Sequence, residues 1–253
     1  MTHKAPVFQD YALYYQALYQ DKDYDAEVGY VDGLLTRWGV LGKQVLELGS
    51  GNGIHGQHLA KRGYKVHGIE RSEAMLGQAQ PTQGFTCECG DIRDISLGRS
   101  FDVVLALFHV MSYQVQNEDI AAVFERVQEH LNPGGLFIFD VWYSPAVLTQ
   151  GADVRLKTMS LDTLELSRIA EPHCYPNENR IDVHYTVFVQ DRAKQDCRVL
   201  KETHAMRHFS LPELDLWASH YGFERVAAEE FLSGQDPSEH TWGVCVVLRK
   251  ETK

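Results

Sequence analysis

The sequence predicts an α/β protein: a Rossmann-like, doubly wound, mostly parallel sheet of seven strands, with an antiparallel β insertion after the fifth strand. Three observations carry this expectation. Short apolar runs alternate with helical segments five times between Gln44 and Val141, the pattern of strand and crossover helix in a parallel sheet. A glycine-rich turn follows the first of those runs, and the alternation lapses between residues 142 and 209 before returning at Ser210.

The elements follow from periodicity. From Asp10 to Gly39 the chain is rich in tyrosine (Tyr11, Tyr14, Tyr15, Tyr19, Tyr24, Tyr30), and Val31, Leu34, Leu35 and Trp38 recur at helical spacing before the Gly39 stop, giving one or two helices. Val45–Leu48 reads as the first strand, Ile54–Arg62 as a helix closed by Gly63, and Tyr64–Ile69 as the second strand. Ser72 caps a helix running to about Ala79, and Phe85–Cys89 is the third strand. Phe101–Phe108, almost continuously apolar, is a fourth strand covered on both faces. Asn117–Leu131 carries Ile120, Val123, Phe124, Val127 and Leu131 on one helical face, is stopped by Asn132-Pro-Gly-Gly135, and leads into a fifth strand, Leu136–Val141.

Beyond Trp142, three antiparallel strands are expected at Thr163–Ala170, Ile181–Gln190 and Cys197–Phe209. Ser210-Leu-Pro-Glu213 is a capping-box pattern opening a helix to His220, and Val226–Leu232 with Gly243–Arg249 form a closing antiparallel pair. The expected organisation is a core of residues 1–141 and 210–253 with an N-terminal helical segment, and an insertion, 142–209, lying as a substrate lid on the carboxyl side of the sheet, where α/β ligand sites lie.

Composition narrows the function. The chain has 253 residues, 44% of them hydrophobic and 23% charged, and its 35 acidic against 24 basic side chains leave a formal charge of −11. That excess argues against a broad grip on nucleic-acid phosphates, which needs Lys and Arg to displace counterions. No run approaches the ~20 apolar residues of a membrane span, and Met1–Phe8 has no apolar signal core, so a cytoplasmic location is expected. Cys87, Cys89, Cys174, Cys197 and Cys245 lack framework spacing and read as reduced thiols. Cys87 and Cys89, two apart on a strand, are expected in core packing and not as a metal pair.

The chemistry is concentrated in Val45-Leu-Glu-Leu-Gly-Ser-Gly-Asn-Gly-Ile-His-Gly56. Gly49, Gly51 and Gly53 directly after a strand let the backbone turn sharply and approach a ligand beside a helix N-terminus, which makes this a nucleotide-cofactor loop. Gly51-x-Gly53-x-x-Gly56 also fits a dinucleotide fingerprint, so the nearby acids must discriminate. Glu70, at the end of the second strand, is placed to accept both ribose hydroxyls and argues against a 2′-phosphate. Asp91, after the third strand, is placed to accept an adenine amino group. Glu47 beside the loop suits an ammonium group and would oppose a pyrophosphate, which points to S-adenosylmethionine.

Together, Glu47-Leu-Gly-Ser-Gly-Asn-Gly53, Gly68-Ile-Glu-Arg-Ser-Glu-Ala-Met-Leu76, Gly90-Asp-Ile-Arg-Asp94 and Asn132-Pro-Gly-Gly135 resemble the class I S-adenosylmethionine-dependent methyltransferases. The resemblance implies that Glu47, Gly49, Gly51 and Gly53 face the methionine end, Glu70 the ribose, and Asp91 with Ile92 the adenine. Tyr24, Arg71, Met75 and Leu107 complete the cofactor set expected on this basis.

A narrower resemblance, carried by Tyr15, Asp21-Lys-Asp-Tyr24, Asp91-Ile-Arg-Asp-Ile-Ser-Leu-Gly98, Asp140-Val-Trp-Tyr-Ser-Pro145, Ile181-Asp-Val-His-Tyr185 and Glu202-Thr-His204, is to bacterial N,N-dimethyltransferases of nucleotide-linked amino sugars. It implies a small-molecule acceptor and a Tyr15 that reaches both cofactor and reacting centre. Members often carry a His after the fourth strand in a Phe-x-x-x-Gly-His pattern. Here the stretch is Phe108-His-Val-Met-Ser-Tyr113, so Tyr113 stands at that position with His109 four residues earlier, and Tyr15, Tyr113 and His109 are the catalytic candidates.

Several residues invite plainer readings. His109 fits a satisfied core histidine as readily, and Tyr15 fits packing. His204 and His208, with Glu202 on one strand, are expected on a half-exposed face and not at a metal. His55 and His58 read as a helix face, and Arg93 and Asp94 as solvated. Arg155, Arg168, Arg180 and Arg207 are candidates for gripping a diphosphate. The alternatives carried forward are a small-molecule O-methyltransferase with the same cofactor site, an NAD-dependent oxidoreductase, and a non-catalytic cofactor-binding protein. A homodimer is left open.

Overall fold

The computed structural model describes Ala12, Tyr14 and residues 18–252. Among these residues the order is α1 (Tyr24–Arg37), β1 (Gln44–Leu48), α2 (Ile54–Lys61), β2 (Lys65–Glu70), α3 (Glu73–Leu76), β3 (Phe85–Cys89) and β4 (Phe101–Ala106). A 3-10 turn (Val110–Tyr113) leads to α4 (Asn117–His130), β5 (Leu131–Tyr143), α5 (Ser144–Gln150), β6 (Arg155–Leu161), β7 (Leu164–Tyr175), β8 (Arg180–Asp191) and β9 (Asp196–Phe209). The chain closes with α6 (Leu211–His220), β10 (Phe223–Glu230) and β11 (Gly243–Lys250).

The expected seven-stranded core is present in the order β3-β2-β1-β4-β5-β11-β10, parallel from β3 to β5 and antiparallel from β5 through β11 to β10. The hydrogen-bonded sheet is larger than seven, however, because β5 forks. Its Leu136–Trp142 stretch pairs with β11, while Trp142 and Tyr143 also pair in parallel with His208 and Phe209 of β9. Through that splice the insertion, β9-β8-β7-β6, joins the core into eleven strands.

Both faces of the parallel strands are covered, as their apolar runs require. On β5, Phe137, Phe139 and Val141 pack on one side with Ile120, Val123, Phe124 and Val127 of α4 and with Leu214 and Ala218 of α6. Leu136 and Ile138 point to the other side, where Val28, Val31, Leu34 and Leu35 of α1 and Leu59 of α2 meet Val103 and Leu105 of β4. Three of the helices, α1, α3 and α6, start where the sequence supplies a cap: Asp23 accepts the Ala26 amide, Ser72 the Met75 amide and Ser210 the Glu213 amide.

Four expectations need correction. The insertion has a fourth strand, β6, which pairs with β7 from Arg155↔Ala170 to Leu161↔Leu164. A short helix, α5, opens it with proline in its first turn. Asn132-Pro-Gly-Gly135 does not separate helix from strand but lies within β5, where the pairing with β4 shifts register between Phe101 and Val103. The Ser72-capped helix is one turn, Glu73–Leu76, and does not reach Ala79.

Candidate active site

The loop after β1 is built on left-handed glycines, with φ of +65° at Gly49, +57° at Gly51 and +77° at Gly53. A side chain there would be strained by the backbone alone. Space adds a second constraint: a Cβ on Gly49 would stand 2.6 Å from Val110 Cγ2, and one on Gly53 would stand 2.6 Å from the Phe85 ring. The loop is tied to β2 by the Ser50 amide on the Ile69 carbonyl (3.0 Å). Glu70 then takes the Gly51 amide on Oε2 (2.9 Å) and the Ser72 amide on Oε1 (2.7 Å). Burial raises the Glu70 pKa against these bonds.

A cleft of about 1280 Å³ opens over the carboxyl ends of the parallel strands. Of the expected cofactor residues, Tyr24, Gly49, Gly51, Glu70, Arg71, Met75, Asp91, Ile92 and Leu107 line it. Gly53 and Glu47 do not. Gly53 turns into the packing against Phe85, and Glu47 is buried behind the loop, where loss of hydration and the nearby Glu70 carboxylate push its pKa up to about 8. Tyr15 lies outside the described residues. The Ser50 hydroxyl is buried and meets no hydrogen-bond partner among the described residues. An adenosine cofactor with an amino-acid tail fits this surface: carboxylates end β2 and follow β3, Met75, Ile92 and Leu107 supply apolar wall, and amides and an unused hydroxyl edge the loop.

A buried charge cluster beneath the loop gave little sign of itself in sequence. Lys22 Nζ lies 3.0 Å from Glu27 Oε2 and 3.4 Å from the centre of the Phe108 ring. His55 Nε2 reaches the same Glu27 oxygen at 2.6 Å, so His55 is part of this buried cluster and not simply a helix face. Burial lowers the Lys22 and His55 pKa values. The one hint to Lys22 was its place in Asp21-Lys-Asp-Tyr24.

Phe108 and His109, just past β4, both have φ of +63°, a conformation rare for residues with side chains and expensive when held twice in succession. Asp140 on β5 anchors the turn: its Oδ2 accepts the His109 amide at 3.1 Å and lies 2.7 Å from His109 Nδ1. Burial opposes ionisation of Asp140, yet the His109 contacts outweigh it and hold the pKa below the usual carboxylate value. His109 is thus tied to Asp140 through both its amide and its ring, with its side chain 25% exposed.

His109 faces a second chamber of about 320 Å³, and Phe108, Tyr113 and Tyr185 line both chamber and cleft. Trp142, Trp242, Arg155 and Arg168 form more of its wall. The other two arginines are engaged elsewhere: Arg180 with Glu178 and Asp182, and Arg207 with Glu213 at 2.6 Å. Arg93 is not solvated, since it binds Asp91 and Asp119. His204, expected half-exposed, is buried, whereas Cys89 is exposed and Cys87 only partly covered. No cluster of three or more His, Cys, Asp or Glu suited to a metal occurs among the described residues.

Comparison with known proteins decides between the cofactor classes. A family profile described as a methyltransferase domain matches residues 45–135. The chain is 30% identical over 181 residues to the dTDP-3-amino-3,4,6-trideoxy-alpha-D-glucopyranose N,N-dimethyltransferase of Streptomyces venezuelae, covering 70% of this chain and 76% of the relative. The chain belongs to the S-adenosylmethionine-dependent methyltransferases. It is also 30% identical over 172 residues to a Streptomyces fradiae N,N-dimethyltransferase of dTDP-3-amino-3,6-dideoxy-alpha-D-glucopyranose, covering 68% and 67% of the two chains. In fold, this methyltransferase matches the sugar N-methyltransferase KedS8 from Streptoalloteichus with a TM-score of 0.83 at 19% identity, over 100% of this chain and 97% of the other. Streptomyces venezuelae DesVI matches with a TM-score of 0.79 at 24% identity, over 96% and 99%. When bound, the cofactor supplies an activated methyl group on a sulfonium. The protein's part is to hold it, bring the acceptor into line and keep water out.

Proposed function

We propose that this methyltransferase acts on the amine of a nucleotide-linked sugar, with the acceptor in the chamber between the strained turn and the insertion sheet. The observation that carries the reading is that chamber itself, joined to the cofactor cleft at Phe108, Tyr113 and Tyr185 and bearing Arg155 and Arg168 on its wall. Aromatic surface suits a sugar ring or base, and two guanidinium groups suit a diphosphate. The named activities of the Streptomyces relatives support the same substrate class.

In this reading Glu70 and Asp91 hold the ribose and adenine, the glycine loop and Glu47 the methionine end, and residues 142–209 act as the acceptor lid. Tyr113 and His109 face the reacting nitrogen, and Tyr15 is assigned beside them on the family resemblance. The five free cysteines accord with a reducing compartment, and we place the enzyme in the cytoplasm without a nucleic-acid partner. Among the described residues no helix is long and apolar enough to cross a membrane.

The test is a methylation assay on dTDP-linked 3- and 4-amino sugars with Arg155→Ala and Arg168→Ala beside the wild type. A raised acceptor KM in both variants, with S-adenosylhomocysteine affinity unchanged, is expected. Turnover of phenols or sugar hydroxyls with no turnover of amino sugars would replace this reading by the O-methyltransferase one.

A further inference from the structure

Strand β9 puts Glu202 and His204 on one face, two residues apart, and that face meets the 3-10 turn carrying Tyr113. The Tyr113 hydroxyl lies 2.9 Å from His204 Nδ1, and His204 Nε2 lies 3.2 Å from Glu202 Oε2. Tyr185 of β8 stands edge-on to the imidazole with centroids 4.8 Å apart. His204 is 2% exposed, so its ring cannot exchange these partners for water.

The directions of the two bonds follow from the chemistry of the groups. An ionised carboxylate only accepts, so in the neutral imidazole Nε2 carries the hydrogen toward Glu202. Nδ1 then has only a lone pair, and the Tyr113 hydroxyl must donate to it. With its proton committed to His204, the phenol oxygen can accept from a group in the chamber that Tyr113 and His204 both line. Glu202 at the far end lines the cofactor cleft.

We propose that Glu202 and His204 are positioning residues that make Tyr113 the proton acceptor of the reaction, a chain of three groups leading from the acceptor nitrogen to the cleft. The inference rests on the amine-methylating reading and deepens it. The acceptor ammonium loses one proton to the Tyr113 oxygen as the phenol's own proton passes to His204 Nδ1, leaving an imidazolium against the Glu202 carboxylate. The lone pair left on nitrogen forms the new N–CH₃ bond while the S–CH₃ bond breaks and its electron pair stays on sulfur. After the transfer the Nδ1 proton returns to the Tyr113 oxygen as the phenol gives the proton it took from the acceptor to water entering behind the departing product, so His204 keeps its Nε2 hydrogen toward Glu202 and the chain is reset for a further round.

Two measurements test this. Nitrogen-15 NMR of the histidines in the S-adenosylhomocysteine complex, assigned with His204→Gln, needs no acceptor. It is expected to show His204 protonated on Nε2, with its Nδ1 resonance moved by Tyr113→Phe. An Nδ1–H tautomer would overturn the relay whatever the substrate proves to be.

In turnover, Tyr113→Phe and His204→Gln should each lower kcat about 100-fold with acceptor KM and S-adenosylhomocysteine affinity within about twofold, and the double variant should be no slower than the worse single one. Glu202→Gln, at the cleft edge, should lower kcat about tenfold and carries the test alone if His204→Gln does not fold. Full kcat in His204→Gln or Glu202→Gln, or a double variant equal to the product of the singles, would refute it. A wild type that methylates no amino sugar counts against the substrate reading, and the tautomer still decides the relay.

Discussion

Arg93 grips both carboxylate oxygens of Asp91, with Nε 2.8 Å from Oδ1 and Nη2 2.5 Å from Oδ2, while its Nη1 reaches Asp119 at 2.6 Å. Hydrogen bonds from Arg93 hold the Asp91 carboxyl below its ordinary pKa, so the acid at the end of β3 is ionised and fixed in direction. Asp91→Ala is therefore expected to weaken S-adenosylhomocysteine binding by ~1–3 kcal/mol, and Arg93→Ala by less, since it loosens the carboxylate without removing it. Calorimetry on the two variants checks the order, and unchanged affinity in both would remove Asp91 from the cofactor site.

Glu47 leads to a pH prediction. Its folded pKa, raised to about 8 from 4.5, means that it favours folding below about 4.5 and that this contribution is lost as pH rises to about 8. A cofactor ammonium drawn to it would favour the ionised form. Binding of S-adenosylhomocysteine at pH 7 should then release a proton, seen as a buffer-dependent enthalpy in calorimetry, and Glu47→Gln should abolish that dependence.

Asp140 titrates in the opposite sense. Its pKa is lowered, so its support for the fold is present above the ordinary carboxylate value and fades as pH falls through the lowered one. Asp140→Asn removes the charge that faces His109 and should cost about 1–3 kcal/mol in denaturant unfolding at neutral pH. Because the same charge anchors the strained turn, turnover should fall as well.

The core offers a control remote from the chemistry. Phe124 is fully buried and its ring contacts those of Phe137, Trp217, Tyr221 and Phe223. Phe124→Ala should destabilise by about 3–5 kcal/mol while the folded fraction keeps its S-adenosylhomocysteine affinity. A loss of affinity in that fraction would show that the α4 face is coupled to the cleft.

What could be read in the sequence was what short-range patterns encode. Val45, Leu46 and Leu48 are apolar because β1 is covered on both sides, and the glycines after it stand where φ is positive, so β1 and its loop were legible together. Strand β6 was not, because Arg155–Leu161 is largely exposed and has no buried stripe to declare it. The pairing of Tyr113 with His204 spans 91 residues and exists only because β9 runs back past the 3-10 turn. For the same reason spacing could not tell which arginines were committed: Arg207 is held by Glu213 six residues on, whereas Arg168 reaches Tyr19 at the far end of the chain.

The fork in β5 separates two kinds of evolutionary freedom. The glycine loop, Glu70 and Asp91 hang from the parallel strands, while β6, β7 and β8 pair into the core sheet through β9 and its two residue pairs with Trp142 and Tyr143. Substitutions on the side of the insertion that faces the second chamber can reshape it without shifting the register of β1, β2 or β4. In the amine-methylating reading proposed above, such a chassis lets one donor site be re-specified for acceptor after acceptor, a division of labour written into where a single strand changes neighbours.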